Sequence, residues 1–197
     1  MHPSHNFILV GVGGQGIILA SDILTEVGLE AGYDAKKAEV HGMAQRGGSV
    51  ISHVRWGEKV YSPLVGRGEG DFLVAMEKLE ALRYAEFLRR GGMVIVNDYA
   101  IPPVAVNIGE AVYPSDEKIK SVLGQVAGRM HFVPALQKAE ELGSARVANV
   151  VLLGALSAFL GVEDEVWLRV LERRVPRKYV ELNLEAFREG RKLGEKL

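Results

Sequence analysis

The chain has 197 residues, 48% of them apolar and 25% charged, with a formal net charge of −1. This composition predicts one well-buried α/β domain over residues 1–197, and the near-zero charge argues against nucleic acid or an acidic membrane as a partner. Cysteine is absent, which excludes disulfides and iron–sulfur clusters built from this chain alone.

The amino terminus and the most apolar segment indicate neither export nor membrane insertion. The first residues lack the charged region and the small-residue cleavage site of a signal peptide. The segment "VANVVLLGALSAFLG" (147–161) is shorter than the ~20 residues that span a bilayer, so we interpret it as a buried helix. We therefore expect a cytoplasmic protein with no membrane contact.

Strand and helix signals alternate through the first part of the chain. The apolar run "NFILV" (6–10) predicts a strand, and "GVGGQG" (11–16) leads from it into a helix. That helix is expected to end near Ala31, because Gly32 suits a left-handed C-cap. A second strand is predicted over about 34–40.

A β-hairpin is predicted next. In "SVISHVRW" (49–56) apolar residues recur with a period of two, as in a half-buried strand. We expect a turn at Gly57 and Glu58 and a return strand along "KVYSPLV" (59–65). His53 would then lie on a surface face of the hairpin.

The rest of the chain predicts further strands and helices. Strands are expected at 71–76, 93–97, 104–108 and 131–134. A helix is expected at 77–90, ending at Gly91 and Gly92, and a second helix is capped by Ser115. After Pro134 only helices are expected. Together these elements predict an α/β fold: a Rossmann-like, mostly parallel sheet with crossover helices, an inserted β-hairpin and a C-terminal helical region.

The first glycine-rich loop has the spacing of an anion-binding turn. In Gly11-x-Gly13-x-x-Gly16 the glycines permit a tight turn, close approach to a ligand and close packing of helix on strand. A helix that starts there offers unpaired N–H groups and a positive dipole end to a phosphate. The same glycines could serve the turn alone, or a subunit contact.

A second polar, glycine-rich loop, "HGMAQRGGSV" (41–50), follows the second strand and is expected to share a crevice with the first. Arg46 is the one cation in either loop and could contact a phosphate through two N–H groups. Glu39 is an imperfect match to the acid that binds a dinucleotide ribose. The sequence has no HExxH, GxSxG or Walker lysine, so catalysis by this chain alone is not expected.

At these two loops the sequence resembles a known family. The segments "GVGGQGIILAS", "AEVHGMAQRGGSVISHVRWG", "EALRYAEFLRRGGMVIVN", "ANVVLLGAL" and "VPRKYVELNLEAFREG" are similar to the γ-type domain of the 2-oxoacid:ferredoxin oxidoreductases, and most closely to small β subunits of the indolepyruvate branch. The pairing of GxGGQG with EVHGMxQRGGSV is far more specific than GxGxxG alone.

The resemblance implies a subunit of a hetero-oligomeric enzyme that oxidatively decarboxylates indolepyruvate and other aryl pyruvates to aryl-acetyl-CoA and reduces ferredoxin. It places thiamine diphosphate, Mg²⁺ and the iron–sulfur clusters on a large α subunit, through which ferredoxin is reduced. This chain would help to bind coenzyme A and to assemble the complex. An NAD(P)-binding dehydrogenase domain and a non-catalytic assembly subunit are the alternatives.

The resemblance also gives the candidate binding residues, while metal-binding and catalytic residues are expected to be absent from this chain. Coenzyme A, another nucleotide and the partner subunit are the three candidate ligands of the loops. The candidate residues are Gly11, Gly13, Gly14, Gln15 and Gly16 in the first loop, and His41, Gly42, Gln45, Arg46, Gly47, Gly48 and Ser49 in the second.

Overall fold

The computed structural model describes residues 4–41 and 48–196. The strands are β1 (His5–Val12), β2 (Asp34–His41), β3 (Ser49–Gly57), β4 (Gly70–Ala75), β5 (Leu88–Asn97) and β6 (Ala127–Val133). The helices are α1 (Ile17–Glu30), α2 (Lys78–Arg83), α3 (Val104–Asn107), α4 (Asp116–Leu123), α5 (Ala135–Glu141), α6 (Ala148–Ser157), α7 (Asp164–Arg174) and α8 (Val180–Gly194).

The six strands form one sheet in the order β2-β3-β1-β4-β5-β6. Strands β1, β4, β5 and β6 pair in parallel, whereas β3 is antiparallel to both of its neighbours. Because β3 runs opposite to β1, the start of β3 lies beside the end of β1, with Ser49 opposite Val12. This register brings the ends of the two glycine-rich loops to the same edge of the sheet.

Each face of the sheet has its own apolar core, because successive side chains of a strand point to opposite faces. Phe7 and Leu9 of β1 pack with α1 and the C-terminal helices α6, α7 and α8. Ile8 and Val10 pack with α2 and α4 on the other face. The sheet is therefore covered by helices on both sides, as expected of a mostly parallel sheet.

The predicted α/β architecture is confirmed, but the hairpin differs from the prediction. Residues 59–65 form no strand, and β3 instead pairs with β2 and β1. His53 is therefore buried in an inner strand and not on a surface face. Its Nδ1 accepts a hydrogen bond from the N–H of Val65, and burial lowers its pKa.

Two other local predictions are wrong. The sequence predicts a strand at 104–108, but residues Val104–Asn107 form the short helix α3 with Pro103 at its N-cap, where the missing N–H of proline removes no hydrogen bond of the helix. The helix predicted over 77–90 ends at Arg83, and β5 already begins at Leu88. The cap at Ser115 is confirmed, and Gly32 has the predicted left-handed φ, although the C-cap of α1 is the preceding residue, Ala31.

The apolar segment 147–161 forms the core helix α6, whose residues 149–157 are all buried. None of the helices in the described part of the chain is long and apolar enough to cross a membrane.

Helices α6 and α8 touch through their backbones, at glycines. A Cβ on Gly190 would lie 2.0 Å from the carbonyl oxygen of Val151, and one on Gly154 would lie 2.2 Å from that of Phe187. Because backbone atoms are the obstacle, a side-chain rotation cannot relieve the overlap. The two helices can approach this closely only with glycine at the contact.

Gly190→Ala is expected to lower the free energy of unfolding by about 1–3 kcal/mol through overpacking, although alanine favours an isolated helix by ~1 kcal/mol over glycine. Urea unfolding curves measure the change. Gly57→Ala is the matched control, because its Cβ would meet no atom closer than 3.5 Å. Equal stability of the Gly190→Ala variant and the unsubstituted protein would contradict this close contact.

Candidate functional site

A cleft of about 430 Å³ opens at the carboxyl edge of the parallel strands. This edge is where α/β proteins bind ligands, at the point where successive connections go to opposite faces of the sheet. Here the connection after β1 crosses one face and that after β4 begins on the other. The cleft is lined by Gly14, Gln15, Gly16, Leu19, Met76, Asn97, Tyr99, Leu136, Ala145, Arg146, Ala148 and Asn149.

The glycines of the first loop serve different purposes. Gly14 and Gly16 adopt positive φ angles of 104° and 75°, which other residues rarely adopt. A Cβ on Gly11 would lie 2.8–3.0 Å from three side chains, so packing excludes a larger residue there. Gly14 has no atom within 4 Å of where a Cβ would stand, so the approach to Gly14 is open. The N–H of Gly13 donates to the carbonyl of Gly48 at 2.8 Å.

Gln15 holds the loop to the neighbouring strand. Its Oε1 accepts from the N–H of Val12 at 2.8 Å, and its Nε2 donates to the carbonyl of Met76 at 3.0 Å. Both ends of the amide are therefore engaged by the protein backbone. Gln15 stabilises the loop, and a ligand contact would have to compete with these bonds.

Two buried asparagines outside the predicted set of site residues complete the cleft. Asn97, at the end of β5, donates to the carbonyl of Met76 at 3.2 Å and accepts from the N–H of Leu136 at 3.1 Å. Asn149 of α6 donates to the carbonyl of Gly16 at 3.1 Å. The sequence signal is a polar residue at the end of an apolar run for Asn97, and a single polar residue within an apolar run for Asn149.

The cleft is electropositive. Helix α1 begins after Gly16, which lines the cleft, and it has neither a side-chain cap nor an acid in its first turn, so the positive end of its dipole lies at the cleft. Arg146 is exposed at the cleft wall. No acid within residues 4–41 and 48–196 forms an ion pair with Arg146, so its charge is available to an anion.

The second loop is described only at its ends. Gly42, Gln45, Arg46 and Gly47 lie outside the described residues, and the backbone of His41 ends β2. The carbonyl of Gly48 accepts a hydrogen bond from the N–H of Gly13, so the carboxyl end of the second loop lies beside the first loop as predicted.

Ser49 faces helix α2 and not the cleft. Its hydroxyl donates to Glu80 and lies 2.9 Å from the hydroxyl of Tyr84. Glu80 is almost fully buried, and this burial raises its pKa. The side chain of Ser49 thus satisfies a buried carboxyl group, which gives it a role in packing whatever its role in binding.

The strand order disfavours a dinucleotide site of the usual type. Glu39 lies near the end of β2, and β3 separates β2 from β1, so Glu39 is two strand spacings, roughly 10 Å, from the glycine strand. Its carboxylate forms an ion pair with Lys37, which also pairs with Asp22. In the dinucleotide fold the acidic strand is the direct neighbour of the glycine strand.

The described residues contain no group of three His, Asp or Glu side chains that could hold a metal ion.

Comparison with known protein families shows that residues 6–193 match the pyruvate ferredoxin/flavodoxin oxidoreductase family. The chain belongs to this family. It is 40% identical over 196 residues to the indolepyruvate oxidoreductase subunit IorB of Thermococcus kodakarensis, and the match covers 98% of this chain and 97% of that protein.

Solved structures of similar fold include two oxidoreductases. The γ subunit of a keto/oxoacid ferredoxin oxidoreductase from Geobacter sulfurreducens is 26% identical, with a TM-score of 0.73 over 98% of this chain and 99% of that one. A 2-oxoglutarate:ferredoxin oxidoreductase from Magnetococcus marinus, with 2-oxoglutarate, coenzyme A and succinyl-CoA bound, is 24% identical with a TM-score of 0.78. All of this chain aligns with about a third (32%) of that longer chain.

The contact between Gly16 and Asn149 can be tested in this family member by a double-mutant cycle. Gly16→Ala is expected to lower the free energy of unfolding by about 1–2 kcal/mol, because alanine disfavours the left-handed backbone. It should lower it by ~1 kcal/mol more through loss of the hydrogen bond, because the Cβ would lie 2.4 Å from Nδ2 of Asn149. In an Asn149→Ala background only the first cost should remain. Urea unfolding of the four proteins measures the difference.

Gly14→Ala in the same two backgrounds is the control, because a Cβ there meets no atom within 4 Å. Its cost should be the same with and without Asn149. If Gly16→Ala also cost the same in both backgrounds, the hydrogen bond would not secure the start of α1.

Proposed function

We propose that this chain is the small subunit of a thiamine diphosphate-dependent 2-oxoacid:ferredoxin oxidoreductase that acts on indolepyruvate and related aryl pyruvates. The observation that carries the proposal is the 40% identity to an indolepyruvate oxidoreductase subunit over nearly the whole of both chains. The 2-oxoacid is decarboxylated, its acyl group passes to coenzyme A, and the electrons pass to ferredoxin. Because the similarity to IorB extends over nearly the whole of both chains, we propose that residues 1–197 form one domain and that the complex is cytoplasmic.

The chemistry is divided between subunits in this proposal. Iron–sulfur clusters are held by cysteine thiolates, and this chain has no cysteine. It also lacks the GDG…N signature of thiamine diphosphate and Mg²⁺ binding. A large α subunit would therefore carry these cofactors and reduce ferredoxin, while this chain binds coenzyme A and completes the assembly.

The cleft is suited to the phosphates of coenzyme A. The uncapped start of α1 and the unpaired Arg146 favour an anion, and the open side of Gly14 leaves space for it. Coenzyme A supplies the thiol that receives the acyl group. The Magnetococcus marinus oxidoreductase of similar fold has coenzyme A bound, which is consistent with this assignment. Arg46 of the second loop would add a further contact to phosphate.

The two alternatives make different use of the loops. A nicotinamide dinucleotide is disfavoured, because β3 stands between the glycine strand and Glu39. The side chains of Gln15 and Ser49 are engaged within the fold, so they favour neither a ligand nor a partner subunit over the other. Neither observation accounts for the unpaired charge of Arg146 in the cleft.

The division of labour predicts that the isolated chain is inactive and that it forms a stable complex with a large subunit. Co-expression of the two chains should give a single gel-filtration peak that contains thiamine diphosphate and iron–sulfur absorbance. Turnover of indolepyruvate with coenzyme A and a dye acceptor should require both chains. Turnover by this chain alone, or two independent peaks, would contradict the proposal.

Arg146→Ala should raise the KM for coenzyme A of the assembled enzyme. Loss of a charge-assisted contact costs roughly 1.5–3 kcal/mol, which corresponds to about 10- to 150-fold in affinity. The KM for the 2-oxoacid should stay nearly unchanged, because that substrate binds on the other subunit. Steady-state kinetics with each substrate varied in turn measure both values.

Arg90→Ala is the matched control, because Arg90 is also exposed but lies near the start of β5, at the opposite edge of the sheet from the cleft. An unchanged KM for coenzyme A in Arg146→Ala would remove Arg146 from the site. Arg46→Ala, in the same assay, tests the sequence-based prediction for the second loop.

A further inference from the structure

Helix α2 carries two buried carboxyl groups that no step of the proposed function uses. Glu77 at the N-cap of α2 and Glu80 in its first turn are only 1% and 2% exposed. A carboxylate so far from water is costly unless it is hydrogen-bonded or paired with a cation. The groups that bind these two carboxylates are therefore held firmly to α2.

Glu77 fixes α2 to the chain that follows β5. Its Oε2 accepts from the N–H of Glu80 at 2.9 Å, and its Oε1 accepts from the N–H of Ile101 at 3.0 Å and from the hydroxyl of Tyr113. That hydroxyl accepts in turn from the N–H of Leu79 at 3.1 Å. Because these bonds use the backbone of Glu80 and not its side chain, the first turn of α2 is held in place independently of the Glu80 carboxyl group.

The carboxyl group of Glu80 extends from this fixed helix to the start of β3. Its Oε2 accepts from the hydroxyl of Ser49, and its Oε1 pairs with the guanidinium of Arg83 at 2.7 Å. The hydroxyl of Tyr84 lies 2.9 Å from that of Ser49. Among the described residues no other group donates to Oε2, so without the Ser49 hydroxyl this buried oxygen would be unpaired.

Ser49 is joined to the first glycine-rich loop through the backbone. It lies opposite Val12 in the pairing of β3 with β1, and the residue before it, Gly48, accepts from the N–H of Gly13 at 2.8 Å. Gly13 is followed by Gly14, which lines the cleft. A displacement of Ser49 would therefore move the hydrogen-bond partner of the first loop, although the side chain of Ser49 points to α2.

We propose that Glu80 is a positioning residue, which sets the place of Gly48, and through it of Gly13, by binding the hydroxyl of Ser49. The inference rests on the proposed function, in which the first loop borders the site that a substrate of the complex occupies. A role in packing alone would need only a side chain that fills the space between α2 and β3. A positioning role needs the hydroxyl itself.

The test compares Ser49→Thr with Ser49→Val, because the two new side chains have the same shape and only threonine carries a hydroxyl. Amide hydrogen exchange of the assembled complex, followed by mass spectrometry, measures the protection of residues 11–16. Their exchange should be about 10-fold faster in Ser49→Val than in Ser49→Thr, the order expected for loss of a hydrogen bond to a charged group.

Ser49→Ala and Ser52→Ala form a second matched pair, which adds no atoms and so cannot overpack. Ser52 lies on the same strand and is fully buried, but its hydroxyl has no hydrogen-bond partner among the described residues. Ser49→Ala should therefore speed exchange at 11–16 as Ser49→Val does, whereas Ser52→Ala should leave it unchanged.

Glu80→Leu tests the carboxyl group itself. Arg83 is 46% exposed and stays solvated when its partner is replaced. Glu80→Leu should speed exchange at 11–16 in the protein with Ser49, but should add nothing in the Ser49→Val background, because the hydroxyl that Glu80 binds is already gone. In turnover, Ser49→Val should raise the KM for coenzyme A roughly 3- to 10-fold with kcat nearly unchanged, and Ser49→Thr should restore it.

The outcomes separate this inference from the proposed function. Equal exchange at 11–16 in Ser49→Thr and Ser49→Val, or equal effects of Ser49→Ala and Ser52→Ala, would overturn the positioning role whatever the turnover. If exchange differed as expected while the KM for coenzyme A stayed constant, the positioning role would stand and the proposed binding of coenzyme A beside the first loop would be wrong.

Discussion

The carbonyl oxygen of Met76, just after β4, joins three loops of the cleft. It accepts hydrogen bonds from the side-chain amides of Gln15 and Asn97, and these amides in turn bind the N–H groups of Val12 and Leu136. Leaving a buried polar group unpaired costs about 1–3 kcal/mol, so each member of this network holds the others in place. The ends of β1, β4 and β5 and the start of α5 are thereby kept at a fixed spacing.

The insertion of β3 between β1 and β2 decides how the two glycine-rich loops can work together. Since β3 is antiparallel to β1, the end of the second loop lies directly beside the first loop, and the N–H of Gly13 donates a hydrogen bond to the carbonyl of Gly48. The same insertion moves Glu39 away from the glycine strand. In a dinucleotide fold, an acid at the end of the strand beside the glycine loop binds a ribose. Here the second glycine-rich loop takes that place beside the first loop.

The distribution of ion pairs differs between the cleft and helix α7. The overall charge is close to neutral, and the arginines of α7 are paired with acids of α1. Among the described residues, Arg146 and, between α7 and α8, Arg177 and Lys178 form no ion pair, and the start of α1 adds a dipole of the same sign. These charges favour an anion in this region.

The sequence by itself determined the α/β class, most element positions, the glycine turn and the lack of any cluster-binding cysteine. The element positions and the glycine turn follow from periodicity and turn residues, which involve only residues close in sequence. The fold class and the lack of cysteine follow from composition and from the order of the elements. Tertiary structure alone decided the place of β3, the burial of His53 and the contact of Asn149 with Gly16 across 133 positions of the chain. Periodicity tells which side of a strand or helix is apolar, but not which element covers it, so the partners of these polar groups depend on how the elements pack.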